Sequence, residues 1–281
     1  MAYQLDLRAG GELPEALFGH SVRELLGEST LGNVYRARAP AGINVALKHF
    51  KVKSDDDRSL EHLRNELRVS QAVTHLYVRR AIKLETARGE AGLVLDFFDG
   101  PCLEHQRALT EMSVIDAFLQ VAHALDALHQ KNLIHADLRP SNILLNAKGQ
   151  TRLIDLGEAC AIGSTPRRVH TDPDYVTQEQ LDGKPLDARV DVYTFSACLY
   201  WALLRRAVPN FEKTPDRPPK NQIFEKGRHI RPVNEINPKL PAPLCEFIAR
   251  GLEPDPAKRP SSMKVAIAIL THTKASMQRS K

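Results

Sequence analysis

The chain has 281 residues, of which 42% are hydrophobic and 26% charged, with a formal net charge of +5 at pH 7. At roughly 100–200 residues per domain, this length holds one large domain or two modest ones and buries a core without disulfide or metal staples. Fifteen glycines, 18 prolines and an even spread of apolar residues exclude collagen, a coiled coil and a disordered tail.

The N-terminus, 1–11, has no basic start followed by an apolar run and so is not a signal peptide. No stretch reaches the ~18 apolar residues of a membrane span. The nearest approach, 193–204, is interrupted by Thr194 and Ser196 and reads as a buried helix. Cys102, Cys160, Cys198 and Cys245 form no Cys-x-x-Cys pair and read as buried thiols of a cytoplasmic protein rather than disulfides or metal ligands. Lys and Arg are dispersed and partly matched by Asp and Glu, which favours a solvated surface over a nucleic-acid face.

In chain order, 22–27, 33–39 and 44–51 carry β-branched and apolar residues between Gly-containing turns and read as strands. From 55 to 73 the pattern becomes helical, with Asp55, Asp56 and Asp57 at the start and Leu60, Leu63, Leu67 and Ser70 at helical spacing. Two further strands are expected at 77–84 and 92–98. Asp99-Gly100-Pro101 then breaks the pattern and marks the best domain boundary. Beyond it, 113–131 is an amphipathic helix, with Ile115, Phe118, Leu119, Ala122 and Leu125 on one stripe, and 189–205 is apolar on nearly all sides. Eight of the 18 prolines lie in 207–243, an expected long and mostly irregular connection, and helices at 243–252 and 262–271 close the chain. Strands first and helices after give an α+β arrangement in two lobes.

Three segments carry chemistry. Gly27, Ser29, Gly32 and Val34 sit between two strands, where glycines serve either a tight turn or the close approach of backbone amides to phosphate. Lys48 lies inside the apolar run Val45-Ala46-Leu47-Lys48, where its ammonium must find an anion, such as Glu66 or a phosphate, or snorkel to solvent. The densest signal is His135-Ala136-Asp137-Leu138-Arg139-Pro140-Ser141-Asn142, followed by Asp155-Leu156-Gly157. Asp137 can accept a proton, and Asn142 and Asp155 offer the hard oxygens that Mg²⁺ prefers.

These residues, from about Ser21 to Leu270, resemble the protein kinase family, in a style similar to bacterial Ser/Thr kinases. The resemblance implies a small antiparallel β lobe with one helix (21–99), a larger helical lobe (100–271), a flank at 1–20 and a tail at 272–281. It implies ATP-dependent phosphorylation of protein Ser/Thr hydroxyls, with Mg²⁺ or Mn²⁺ and an unidentified protein substrate. In the family's arrangement Lys48, positioned by Glu66, holds phosphates. Asn142 and Asp155 bind the metal, Asp137 takes the proton and Arg139 offsets phosphoryl charge. Leu95 falls on the gatekeeper position. Asp96 to Phe98 would bond adenine through backbone groups, with Leu26, Gly27, Ser29, Gly32, Val34, Ala46 and Leu144 completing the nucleotide site. His135, Glu179, Asp191 and Arg259 fall on structural positions, Arg259 as the partner of Glu179.

Departures from the family pattern are Ser29 for the middle glycine, Ala136 for the arginine before the catalytic Asp, Arg139 for a lysine, Leu156 for a phenylalanine and Asp172 for a threonine, and of the usual Ala-Pro-Glu only Glu179 is kept. Ala136 removes the usual partner of an activation-segment phosphate. An acid at 172 can pair with Arg139. A catalytically impaired scaffold and a small-molecule phosphotransferase of related fold are the alternative readings. The second usually lacks counterparts of Glu179, Asp191 and Arg259.

Overall fold

The computed structural model describes residues 13–28, 32–51, 58–87, 89–165, 172–206, 208 and 231–279. Ser29, the three aspartates at 55–57 and most of the proline-rich connection lie outside the described residues.

Strands β1 (Ala16–Leu17), β2 (His20–Glu28), β3 (Gly32–Arg38), β4 (Asn44–Lys51), β5 (Ala81–Ala87) and β6 (Glu90–Asp96) form one antiparallel sheet in the order β1-β2-β3-β4-β6-β5. Alternation sorts β4 cleanly between two faces. Ala46 and Phe50 join Val34, Leu93 and Leu95 under Leu63 of helix α1 (Arg58–Ala72), while Val45 and Leu47 pack with Ala37 and Val94 on the other face. Gly32 is required at the β3–β4 contact, because a Cβ there would strike the His49 carbonyl.

The strand expected at 77–84 is displaced: β5 starts only at Ala81. Residues 77–79 belong to a different ladder. Leu153 donates to the Tyr77 carbonyl at 2.7 Å, and Arg79 donates back to Leu153 at 2.9 Å. An apolar run is a strand in either place; only the partner distinguishes them.

The remainder is helical. Helices α2 (Glu111–Gln130), α3 (Gln178–Leu181), α4 (Arg189–Leu204), α5 (Val233–Ile236), α6 (Ala242–Gly251) and α7 (Met263–Arg279) surround short strands β7 (Leu133–Ile134), β8 (Ile143–Leu145), β9 (Thr151–Leu153) and β10 (Cys160–Ala161). Thr110 caps α2 by accepting from the Ser113 amide at 3.1 Å, which spends one of the four free donors of the first turn. Helix α4 is buried along most of its length. Phe195 on it stacks edge-to-face with Phe118 of α2 at 5.3 Å and with Phe247 of α6 at 6.2 Å.

One further expectation is corrected. Residues 272–279 are not a tail but the last turns of α7, which packs along α2; Thr273 is buried and Lys274 pairs with Asp116 at 2.7 Å. The described end of the 207–243 connection also contains the short helix α5, with Val233 buried in the main core. All four cysteines are free thiols, each pushed up in pKa first by burial. Among the described residues, no helix is long and apolar enough to cross a membrane.

Candidate active site

Lys48 lies on the face of β4 that meets α1, so its ammonium enters the core rather than solvent. It donates to Glu66 Oε2 at 2.9 Å and to Asp155 Oδ1 at 2.7 Å, with its side chain only 4% exposed. This removes the snorkelling alternative. Glu66 is equally buried, and its second oxygen faces the Arg79 guanidinium at 3.7 Å. A buried carboxylate flanked by two cations is the compensated arrangement that burial demands.

Asp155 follows β9 in the left-handed region, φ 62°. Burial raises its pKa, but the Lys48 ammonium, His62 and their hydrogen bonds prevail and hold it well below the usual carboxylate range. It is therefore ionised, as a cation ligand must be. His62, one turn before Glu66 on α1, reaches Asp155 Oδ1 at 3.0 Å and Glu158 Oε1 at 3.3 Å. Burial and Lys48 push its pKa down; the hydrogen bonds to the two acids push it up, and the net value is raised to about 9. The imidazolium satisfies both acids at once. Its 3.1 Å approach to Lys48 is then two donors converging on one Asp155 oxygen, not a hydrogen bond between them.

The loop 135–142 connects β7 to the strand β8. Asp191, fully buried at the head of α4, accepts from the backbone amides of His135 at 2.9 Å and Ala136 at 3.0 Å, and from His129 at 2.8 Å. Burial raises the Asp191 pKa, yet His129 and the donors lower it further, so the net shift is downward. His135 in turn contacts the Ile154 carbonyl at 3.1 Å, which ties the loop to the residue before Asp155. Asn142 donates to the Asp137 carbonyl at 2.8 Å and to its carboxylate at 3.3 Å. Arg139 is buried; it donates to Ser141 at 2.6 Å and pairs with Asp172 at 3.4 Å. Below the loop, Gln180 donates to the Ala136 carbonyl at 2.8 Å, and Arg259 grips Glu179.

A cavity of about 330 Å³ opens beside this cluster, lined by Leu26, Val34 and Ala46 from the sheet and by Leu144 and Ile154 from below. Phe98 and Pro101 stand at its rim. An apolar slot of this size suits a planar aromatic base. The charged cluster of Lys48, Asn142 and Asp155 offers a cation for phosphates and hard oxygens for a divalent metal, so the residues present fit both groups. Leu95 lies fully buried behind Ala46. The Asp96 amide is bonded to the Arg80 carbonyl at 2.9 Å and its carboxylate to the Arg80 side chain, so neither points at the slot. Gly27 and Gly32 flank the undescribed tip between β2 and β3.

His62, Asn65 and Arg79 escape a reading that counts apolar spacing. For His62 and Asn65 a signal was present, because polar residues at 62, 65, 66 and 70 share one face of α1 with its buried residues; Arg79 has no such signal.

Comparison with known proteins agrees with this geometry. A family profile described as "Protein kinase domain" matches residues 20–272. The chain is similar to Serine/threonine-protein kinase ULK3 of Mus musculus, 29% identical over 86% of this chain and 52% of that protein. It is similar also to Serine/threonine-protein kinases PknA of Corynebacterium glutamicum, 26% identical over 80% and 50%, and to Serine/threonine-protein kinase PkaA of Streptomyces coelicolor, 30% identical over 87% and 48%. The chain thus spans about half the length of these curated relatives.

Proposed function

The chain belongs to the protein kinase family, and from that premise we propose that it transfers the γ-phosphoryl group of ATP to Ser or Thr hydroxyls of protein substrates. The observation that carries the reading is the Lys48 ammonium bonded to both Glu66 and Asp155 beside an apolar slot. A buried ionic cluster that lies beside an open slot is a candidate functional site.

Lys48 positions the phosphates electrostatically, and Glu66 fixes Lys48. Asn142 and Asp155 hold the divalent metal, Mg²⁺ or Mn²⁺, which neutralises charge on the phosphate oxygens. Asp137, oriented by Asn142, accepts the proton of the attacking hydroxyl. Arg139 places a guanidinium on the same loop, where it offsets phosphoryl charge. Leu26, Val34, Ala46 and Leu144 exclude water from the base, and the lobes meet near Asp99–Pro101. Glu179, Asp191 and Arg259 support the platform on which a polypeptide, rather than a small alcohol, is presented.

The test is incorporation of labelled phosphate from ATP and Mg²⁺ into generic basic proteins, set against small alcohols, with Asp137→Asn as control. Incorporation into protein that disappears in the variant is the expected result. Transfer to alcohols alone, or none to either, overturns the proposal.

A further inference from the structure

Helix α1 does more than present Glu66. Asn65, the residue before it, donates through Nδ2 to the carbonyls of Gly157 at 2.7 Å and Ala159 at 2.8 Å. His62, on the preceding turn, bonds Asp155 and Glu158 and lies flat on Gly157; a Cβ there would fall inside the imidazole. Two side chains of one helix thus occupy both backbone and side-chain groups of the whole stretch 155–159.

That stretch needs holding. Asp155 is a non-glycine residue in the left-handed region, a conformation that persists only where surroundings over-determine it. A single 3₁₀ turn, Leu156–Glu158, follows it, with too few internal bonds to fix its own orientation. The position that would tie this region to a phosphate on the activation segment is Ala136, which has no charge to offer.

We infer that Asn65 and His62 form a clasp that fastens the stretch 155–159 to α1, making them positioning residues that keep Asp155 and Lys48 in register without a phosphate on the activation segment. The inference rests on the kinase reading above. The work is divided by chemistry. Asn65 fixes the backbone through two neutral hydrogen bonds. His62 fills the space left by the missing Cβ of Gly157 and braces Asp155 through Oδ1.

The experiment uses the full chain, treated with phosphatase and shown bare by mass. Wild type, Asn65→Asp and Asn65→Gln are compared in three measurements. These are the rate of phosphoryl transfer, the Mg²⁺ concentration that half-saturates the ATP-induced thermal shift, and amide hydrogen exchange across 155–162 without ligand. Asn65→Asp keeps the shape but replaces the donor with an acceptor facing two carbonyls. It is expected to lower kcat at least tenfold, raise half-saturating Mg²⁺ several-fold and speed exchange in that peptide, with the KM for ATP within twofold. Asn65→Gln, which retains an amide donor, is expected to recover part of each. Wild-type Mg²⁺ dependence and exchange in Asn65→Asp would overturn the clasp. A tenfold fall in wild-type rate on dephosphorylation, restored by rephosphorylation, would overturn its independence of phosphate. A wild type that transfers no phosphate in any state overturns the proposed function instead, and the exchange measurement still decides the clasp.

Discussion

Arg259 holds Glu179 with both prongs of its guanidinium, at 2.6 and 3.1 Å, although the two residues lie 80 positions apart. The same guanidinium donates to the carbonyls of Glu253, Arg189 and Pro254 and lies 4.8 Å over the Tyr193 ring. One buried cation therefore joins α3, the start of α4 and the approach to α7.

Removing one partner strands the other charge in the core, which costs about 3–5 kcal/mol. Arg259→Ala is expected to lose soluble yield and denaturant midpoint before specific activity falls. An unchanged midpoint in a well-expressed variant would show that the pair carries no stability.

Lys48→Met should abolish transfer while the fold survives, because Arg79 and His62 remain as cations beside the acids that Lys48 leaves. The expected loss in turnover is on the order of 10² or more, the scale of removing one preorganised charge from a reaction centre. Labelled-ATP transfer and a thermal melt on the same preparation check both halves. Wild-type turnover would mean that the phosphates lie elsewhere.

Asp191 gives a pH signature. Its folded pKa is depressed, so across the acid range the unfolded chain binds a proton that the folded chain does not. Its stabilisation is therefore present above about pH 4, the ordinary carboxylate value, and drains away as pH falls through the depressed folded value. Urea midpoints measured from about pH 6 down to pH 3 should fall more steeply in wild type than in Asp191→Asn. Parallel curves would remove Asp191 from acid stability.

His62 and Gly157 should be coupled. Gly157 is not held in the left-handed region, so alanine there is opposed by the His62 ring, not by its own backbone. Gly157→Ala is expected to weaken Mg²⁺-dependent nucleotide binding. Adding His62→Ala should cost less in that background than in wild type, with a coupling of about 0.5–3 kcal/mol in a double-mutant cycle. Strict additivity would separate the two residues.

The longer strands and helices were legible because each has a clear period, and the candidate loop 135–142 was legible because its polar residues lie close together in sequence. Lys48, Glu66 and Asp155 lie far apart in sequence, and the structure joins them by hydrogen bonds at 2.9 and 2.7 Å. The sequence signal failed where a segment's partner, rather than its pattern, decides the outcome. Residues 77–79 read as a continuation of β5 but bond to Leu153 instead. Helix α7 outlasts its apolar stripe because α2 still offers it surface. His62 and Asn65 went unseen for a related reason. A polar residue on a buried helical face announces that it has a partner, but not that the partner is backbone 90 residues away.

Ala136 belongs to a small apolar cluster. It is buried against Ile134, Leu186 and Val190, its amide is taken by Asp191 and its carbonyl by Gln180. Arginine placed at this position would bring a charge into an apolar pocket shaped around a methyl group, at a cost of about several kcal/mol. Room for that charge at position 136 would require Leu186 or Val190 to change as well.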